Sequence, residues 1–381
     1  MINTYSYGKQ LIDDNDIQTV IKVLKSELLT QGPTLKLFED ALCNKIGADY
    51  ASVVSNGTAG LHLVGLALKW KKGDIILTSP ITFLATANCI LYSGATPDFV
   101  DIDKKSYTID INKLEDKIRN YHSRNKKIKA VIPVDYAGYP CDWESLRFLA
   151  DKYDFQLIDD ACHALGAKYK DDAQYALKFA DIAVYSFHPV KHITTGEGGA
   201  VLTNIQEIDE RIKLLRTHGM EKKTDWYYEM HEPGFNYRIT DIQCALGLSQ
   251  LNKLDGFIQK RQVVAEFYDR VFGNDKRFII PKKSMDIFHA YHLYPLQVNL
   301  DVLKINREEM LYRLKDKNIF CQIHYIPIHL QPYYQQNFGF KPGDFPVSEN
   351  FYEQEISLPI YPQLVEEDLT YISKTINEVT N

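Results

Sequence analysis

Three features of this 381-residue chain have the types and spacing to do chemistry: a lysine, an aspartate and a glycine-bearing turn, each directly after an apolar run. The first lies in Ala183-Val-Tyr-Ser-Phe-His-Pro-Val-Lys191-His-Ile-Thr-Thr-Gly-Glu-Gly-Gly199. Residues 182–187 read as a buried strand, which Pro189 stops because proline has no N–H to give a ladder. Lys191 follows among small and hydroxylated residues. Gly196, Gly198 and Gly199 then free the backbone before a second apolar strand, 200–203. A lysine held in a pocket at such a place loses basicity and becomes a nucleophile suited to forming a Schiff base. The plain alternative is a surface hairpin with one exposed lysine.

The second feature is Asp159-Asp160-Ala-Cys-His163, which ends a strand at 155–158. The third is Ser55-Asn-Gly-Thr-Ala-Gly60, which follows the strand 50–54 and opens a helix carrying Leu61, Val64, Ala67 and Leu68 on one face. Strand, turn and helix in that order aim free backbone N–H groups and the helix dipole at an anion. The spacing is neither G-x-G-x-x-G nor a Walker loop, which weighs against a nucleotide-binding dehydrogenase.

A pyridoxal phosphate enzyme needs a lysine for the aldehyde, a carboxylate at the pyridine nitrogen, a phosphate cradle, an aromatic face and a donor near the phenolic oxygen. Lys191, Asp160, the Gly57-Thr58-Ala59 turn with Ser186, Phe83 and His163 match those needs in turn. Each has a bland reading: Asp160 or Thr58 as a helix cap, His163 and Phe83 as core, Glu197 as a turn residue. Their coincidence at strand ends favours the cofactor.

The elements must bring these residues together. Strands at 50–54, 74–78, 95–100, 130–134, 155–158 and 182–187 alternate with helices, among them 112–119 and 142–153. That alternation predicts an α/β fold with a mostly parallel sheet, whose ligands sit at the C-terminal ends of the strands. Helices are expected at 208–217, 241–254 and 257–272. Beyond about 275 the pattern mixes strands at 292–298 and 320–325 with helices at 307–317 and 366–379. The expected organisation is a large domain over 1–255, led by an extended arm over 1–12, and a smaller α+β C-terminal domain over 256–381.

The composition, 45% hydrophobic and 25% charged, is that of a globular protein able to bury a core, which excludes a disordered or fibrous chain. The formal net charge of -6, with only isolated pairs such as Lys126-Lys127 and Lys282-Lys283, gives no electrostatic footprint for nucleic acid. The N-terminus has no apolar signal core and no run of eighteen apolar residues occurs, so a soluble cytoplasmic protein is expected. Cysteines 43, 89, 141, 162, 244 and 321 contain no C-x-x-C and read as free thiols. The scattered histidines predict no metal site.

The sequence resembles the DegT/DnrJ/EryC1/StrS family of sugar-nucleotide aminotransferases. The matching stretches are Ser55 to Gly60, Ser79-Pro-Ile-Thr-Phe-Leu-Ala-Thr86, Ile158 to Gly166, Tyr185 to Gly199, Gly234-Phe-Asn-Tyr-Arg-Ile-Thr-Asp241 and Ile323-His-Tyr-Ile-Pro327. The resemblance implies the aspartate-aminotransferase-like architecture, fold type I of the PLP-dependent transferases. It implies Lys191 as the imine lysine, where a dehydratase branch has histidine. Asp160 would face the pyridine nitrogen, with His163 near the phenolic oxygen. Gly57, Thr58, Ala59 and Ser186 would hold the phosphate and Phe83 the ring. Asn236 would reach a neighbouring subunit's cofactor, which implies a homodimer with shared active sites. Sugar contacts by analogy are Thr30, Gln31, His188 and Tyr325, with Arg238 from the partner.

The opening Tyr5-Ser-Tyr-Gly-Lys-Gln10, Leu29-Thr-Gln-Gly-Pro33 and His324-Tyr-Ile-Pro-Ile-His329 with Tyr333-Tyr-Gln-Gln336 resemble the branch of pseudaminic acid biosynthesis. That branch moves an amino group from L-glutamate to C4 of a UDP-linked 4-keto-6-deoxy-N-acetyl-L-hexosamine. Another UDP-, dTDP- or GDP-linked keto sugar, or a non-catalytic regulatory role, is the alternative. His192 departs from the pattern, which has proline after the lysine.

Overall fold

A seven-stranded sheet runs through the larger part of the molecule, in a computed structural model that describes residues 3–380. Its strands lie in the order Tyr50–Val54, Gly199–Thr203, Ile182–Ser186, Gln156–Asp160, Ile128–Ile132, Ile75–Thr78, Thr96–Phe99. Gly199–Thr203 runs antiparallel to both its neighbours; the other pairings are parallel. The fold is thus α/β with a mostly parallel sheet, as the alternation predicts.

Both faces of this sheet are covered, so its strands are apolar throughout. Successive side chains point to opposite faces. Val53, Leu77, Val131, Leu157, Ala183 and Leu202 pack into one core. Their neighbours Val54, Ile76, Ile132, Ile158, Val184 and Val201 pack into another. The same period separates the adjacent carboxylates at the end of Gln156–Asp160: Asp160 lies on the face of Ile158, and Asp159 on the opposite one.

A second sheet, Phe278–Ile279, Tyr294–Val298 and Glu355–Leu358, is wholly antiparallel and belongs to a separate core. The helix Leu254–Phe272 joins the two cores. Leu254 and Ile258 pack in the first, while Val264, Ala265, Tyr268 and Phe272 pack in the second. We propose this helix as the connection between the units expected at 1–255 and 256–381.

Three local readings change. The N-terminal arm, whose first two residues lie outside the described residues, forms a short strand at Tyr5–Ser6. It pairs in parallel with Ile319–Phe320 and places Tyr5 in the second core. The strand expected at 320–325 is only Ile319–Phe320, because the chain then turns into a cavity wall at 322–325. The polar stretch between the helices expected at 208–217 and 241–254, where no element is expected, contains a hairpin, Met220–Lys222 with Tyr228–Met230. No helix among the described residues is long and apolar enough to cross a membrane.

Candidate active site

A cavity of about 770 Å³ opens where the C-terminal ends of the parallel strands face the 322–325 segment. Lys191, Asp160, His163, Gly57, Thr58, Phe83, Ser186, His188 and Tyr325 all contribute to its wall.

Lys191 sits in a turn closed by its own N–H, which donates to the His188 carbonyl at 2.9 Å. The loop is pinned at its base. Phe187 N–H donates to Gly198 O, and Thr195 N–H to Phe187 O, so the antiparallel pairing of the flanking strands continues into it. The Lys191 Nζ lies 3.4 Å from Nε2 of His292. Burial pushes the ammonium below the usual lysine range, against weaker opposing influences from Cys162 and Asp160. That is the condition for a nucleophilic amine.

Asp160 is buried and its two carboxylate oxygens are held separately. One accepts from Thr86 Oγ1 at 2.6 Å and the other from Cys162 N–H at 3.2 Å. Thr86 comes from the helix Leu84–Tyr92, and its hydroxyl also meets that of Thr82 at 2.7 Å. The helix-cap reading of Asp160 therefore fails: this carboxylate is fixed at a cavity wall.

His163 is buried and stays neutral, since burial and the Lys191 charge drive its basicity well down. Ala137 N–H donates to its Nδ1 at 3.3 Å, so its proton belongs on Nε2, which lies 3.1 Å from the Tyr325 hydroxyl. Phe83 is 53% exposed in the cavity mouth, which removes the core reading. Its ring centroid is 5.9 Å from that of Tyr325.

The anion cradle is built at the start of Gly57–Ala67. Asn56 caps this helix, its side chain accepting the Ala59 N–H at 2.8 Å. The Ala59 N–H is thus engaged by the cap, and Ala59 does not line the cavity. Gly57 and Thr58 keep the free N–H groups. A side chain at Gly57 would put its Cβ 3.1 Å from Ser186 Cβ, and one at Gly199 would put its Cβ 2.6 Å from the Asn56 carbonyl carbon. Two glycines thus let two strand ends and a helix start close on one point.

The remaining expected residues are not brought to this cavity within the chain. Asn236 is exposed and bridges Thr217. Thr30 bridges Thr240, and the exposed Gln31 beside it has φ 55. Arg238 is half-buried and lines no part of the wall. His192, the departure from the family pattern, is buried behind the wall with Nε2 3.1 Å from Ala290 O, so it docks the lysine turn onto the chain leading to the second sheet.

Sequence reasoning missed Thr86, His292 and the role of Tyr7 and His324 in the wall. Thr86 stood inside a quoted stretch. His292 had no local signal, being 101 residues from the lysine it meets.

The residues present fit pyridoxal 5'-phosphate: an amine of lowered basicity, a fixed carboxylate, a two-glycine turn that a Cβ would fill, and an exposed aromatic face converge on one space. The sequence model of the DegT/DnrJ/EryC1/StrS aminotransferase family matches residues 10–377. The UDP-4-amino-4,6-dideoxy-N-acetyl-beta-L-altrosamine transaminase of Campylobacter jejuni (serotype O:2) is 39% identical over 371 residues, 97% of this chain and 96% of that protein. Among solved structures, Helicobacter pylori PseC, an aminotransferase of pseudaminic acid biosynthesis, superposes with a TM-score of 0.92 at 37% identity, covering 99% of both chains. The PLP form of Spr1654 from Streptococcus pneumoniae superposes with a TM-score of 0.90 at 28% identity, covering 99% of both chains.

Proposed function

The chain belongs to the DegT/DnrJ/EryC1/StrS aminotransferase family, a PLP-dependent sugar aminotransferase, and from that premise we propose that it transfers an amino group from L-glutamate to C4 of a UDP-4-keto-6-deoxy-N-acetyl-L-hexosamine in the cytoplasm. The observation that carries the transfer is half-buried Lys191, whose amine has lowered basicity and which lines the cavity that Asp160 and the Gly57-Thr58 turn share. The relatives named for the altrosamine transaminase and for pseudaminic acid biosynthesis support the sugar.

The cofactor supplies an electrophilic carbon for amines and an electron sink that lets an amino group pass from one carbon to another. The protein supplies the rest. Gly57 and Thr58 bind the phosphate with backbone N–H groups at a helix start, helped by Ser186. Asp160, held by Thr86 and Cys162, presents a fixed negative charge to the ring nitrogen. Phe83 covers a ring face, and His163 offers its Nε2 proton near the phenolic oxygen. Nζ of Lys191 would take the proton from the donor's α-carbon in one half of the reaction and deliver one to C4 of the sugar in the other. An acid–base group so placed is worth about 100- to 10,000-fold in rate.

His188 and Tyr325 stand at the cavity mouth as sugar contacts. Thr30, next to Gln31, pairs with Thr240, two residues beyond Arg238, and Asn236 pairs with Thr217. We assign Thr30, Gln31, Asn236 and Arg238 to a second copy's site, in a homodimer that shares active sites. Hybrids of Lys191→Ala with Arg238→Ala subunits test this, because sharing restores one intact site per mixed dimer.

The deciding experiment is product analysis with L-glutamate and the two epimeric UDP-4-keto sugars. The L-epimer is expected to give the 4-amino altrosamine sugar with ping-pong kinetics. Exclusive turnover of another nucleotide sugar overturns the substrate but leaves the transfer. Full activity in Lys191→Ala, or no cofactor uptake by the purified protein, overturns the transfer itself.

A further inference from the structure

Behind the cavity wall lies a chain of three polar side chains that the transfer chemistry leaves unused. Glu355 and Ser357 are fully buried on the strand Glu355–Leu358, two residues apart and so on one face. His324, 6% exposed, lines the cavity. Its backbone N–H donates to Glu355 Oε2 at 2.8 Å. Its Nδ1 lies 2.8 Å from Ser357 Oγ, which in turn lies 2.5 Å from Glu355 Oε1. Its other ring nitrogen, Nε2, makes no hydrogen bond among the described residues.

We propose that Glu355, acting through the Ser357 hydroxyl, sets which tautomer His324 presents to the cavity, so that Glu355 and Ser357 are positioning residues for a substrate-facing histidine. The directions of the bonds are forced. An ionised Glu355 only accepts, so Ser357 O–H donates to Oε1 and its oxygen accepts from Nδ1–H; Nε2 is left as a bare acceptor. A Glu355 protonated at Oε1 donates to Ser357 Oγ, so the hydroxyl donates to Nδ1 and the ring proton sits on Nε2, a donor. One proton is taken up, on the carboxyl. The imidazole stays neutral and its single proton changes nitrogen.

The surroundings place this exchange within reach. Burial pushes the Glu355 carboxyl up to about 8, against hydrogen bonds from Ser357 and His324 N–H and the Arg307 charge. Burial pushes the His324 imidazole down to about 3, with the Lys191 charge adding to the effect, so the ring is neutral on both sides of the exchange. Tyr107, Tyr136, Tyr325 and Cys321 also feel the Glu355 charge and stay protonated, their acidities suppressed chiefly by burial. Arg307 approaches the Glu355 main-chain carbonyl, not its carboxylate. Around the imidazole stand Tyr7 and Tyr325, with ring centroids at 4.9 and 4.8 Å.

A donor at Nε2 suits a carbonyl or anionic oxygen, and an acceptor suits a hydroxyl or an amine. The consequence for substrate rests on reading the cavity as the sugar-nucleotide site; the tautomer exchange does not.

The test is nuclear magnetic resonance of the full chain with 15N-labelled histidine, in the cofactor-bound protein, with His324 assigned by the signals lost in His324→Gln. The wild type should pass from Nε2–H to Nδ1–H with a midpoint near the Glu355 value of about 8. Glu355→Gln should hold Nε2–H throughout, since its amide donates to Ser357. Ser357→Ala should lose the exchange and Ser357→Thr should restore it, which keeps the proposal testable if Glu355→Gln does not fold. A wild-type His324 fixed in one tautomer between about pH 6.5 and about pH 9.5, or an exchange unchanged in Glu355→Gln or Ser357→Ala, overturns it. The KM for the keto sugar should change across the same midpoint and lose that change in Glu355→Gln. A tautomer exchange with a flat KM overturns the substrate contact alone.

Discussion

The amine of Lys191 and the Nε2 of His292, 101 residues apart in the chain, meet at 3.4 Å with no carboxylate between them. His292 is buried between His163 and His192, whose ring centroids lie 4.3 and 5.8 Å away, and all three are held neutral by burial. A lysine whose nearest partner is a neutral imidazole gains no ion pair from it to keep it charged, yet has a hydrogen-bonding partner that orients its amine.

Replacing that partner separates position from basicity. His292→Phe keeps an aromatic ring but loses one hydrogen bond, worth about 0.5–1.5 kcal/mol net. It should lower kcat about three- to tenfold with little change in KM, as expected when an interaction with the proton-carrying group is lost. His292→Gln, which restores a hydrogen-bonding group, should recover part of the loss. Equal kcat in wild type and His292→Phe would remove His292 from the transfer.

Gly199 has a different task. Its absent side chain lets the strand end approach the cradle, since a Cβ there would fall 2.6 Å from the Asn56 carbonyl carbon and 2.7 Å from Gly57 N. Both contacts are backbone, so they cannot swing aside. Gly199→Ala should displace the Asn56-Gly57-Thr58 turn and weaken cofactor binding at least about tenfold, a cost of about 1.4 kcal/mol. Equilibrium titration of the apo-protein with pyridoxal phosphate reads this directly. Unchanged affinity would show that the turn does not carry the phosphate.

Beneath the cradle, Glu39 and Arg216 form a buried ion pair at 2.8 Å. Arg216 also donates to Val53 O at 2.6 Å, and Val53 N–H donates to Glu39 at 3.1 Å, so the pair clamps the strand that leads into Asn56. Glu39→Ala leaves a buried guanidinium without its counter-charge and should cost about 3–5 kcal/mol. Chemical denaturation measures it. The double variant Glu39→Met with Arg216→Met should cost less than Glu39→Ala alone, because no charge is left unpaired.

Stability should fall on both sides of neutral pH. His163, His192, His289, His292 and His324 are all pushed by burial below the ordinary histidine value, His289 and His324 to about 3. Below about pH 6.5 the unfolded chain therefore binds protons that the folded chain refuses, and stability drops with pH. Glu355 acts oppositely. Its folded value of about 8 lies above the ordinary 4.5, so its contribution is lost as pH rises through that window. The acid limb should be the steeper, having five groups behind it. A thermal midpoint that stays level between about pH 7 and about pH 5 would contradict the neutral buried histidines.

Strand ends were readable because proline, glycine and apolar runs punctuate them locally. That punctuation placed Lys191, Asp160 and the Gly57-Thr58 turn after three different strands, and all three line the same cavity. Which of two adjacent aspartates faces the site follows from the two-residue period once the strand is known. The strand expected at 320–325 was misread for a related reason. Its pairing stops after a single bridge from Gln322 to Ser357, and residues 322–325 then line the cavity, where only His324 is buried.

The sequence by itself determined the α/β alternation and put Lys191, Asp160 and the Gly57-Thr58 turn at strand ends, because each is set by neighbours a few residues away. Only the tertiary structure decided that Thr86 fixes Asp160 and that His292 meets Lys191. It alone brought Glu355 and Ser357 behind His324, 31 and 33 residues away in the chain. The physical reason is the range of the contacts. These pairs lie between elements, where no helical or strand period links one position to the other, and they form only when two separate cores close on one cavity.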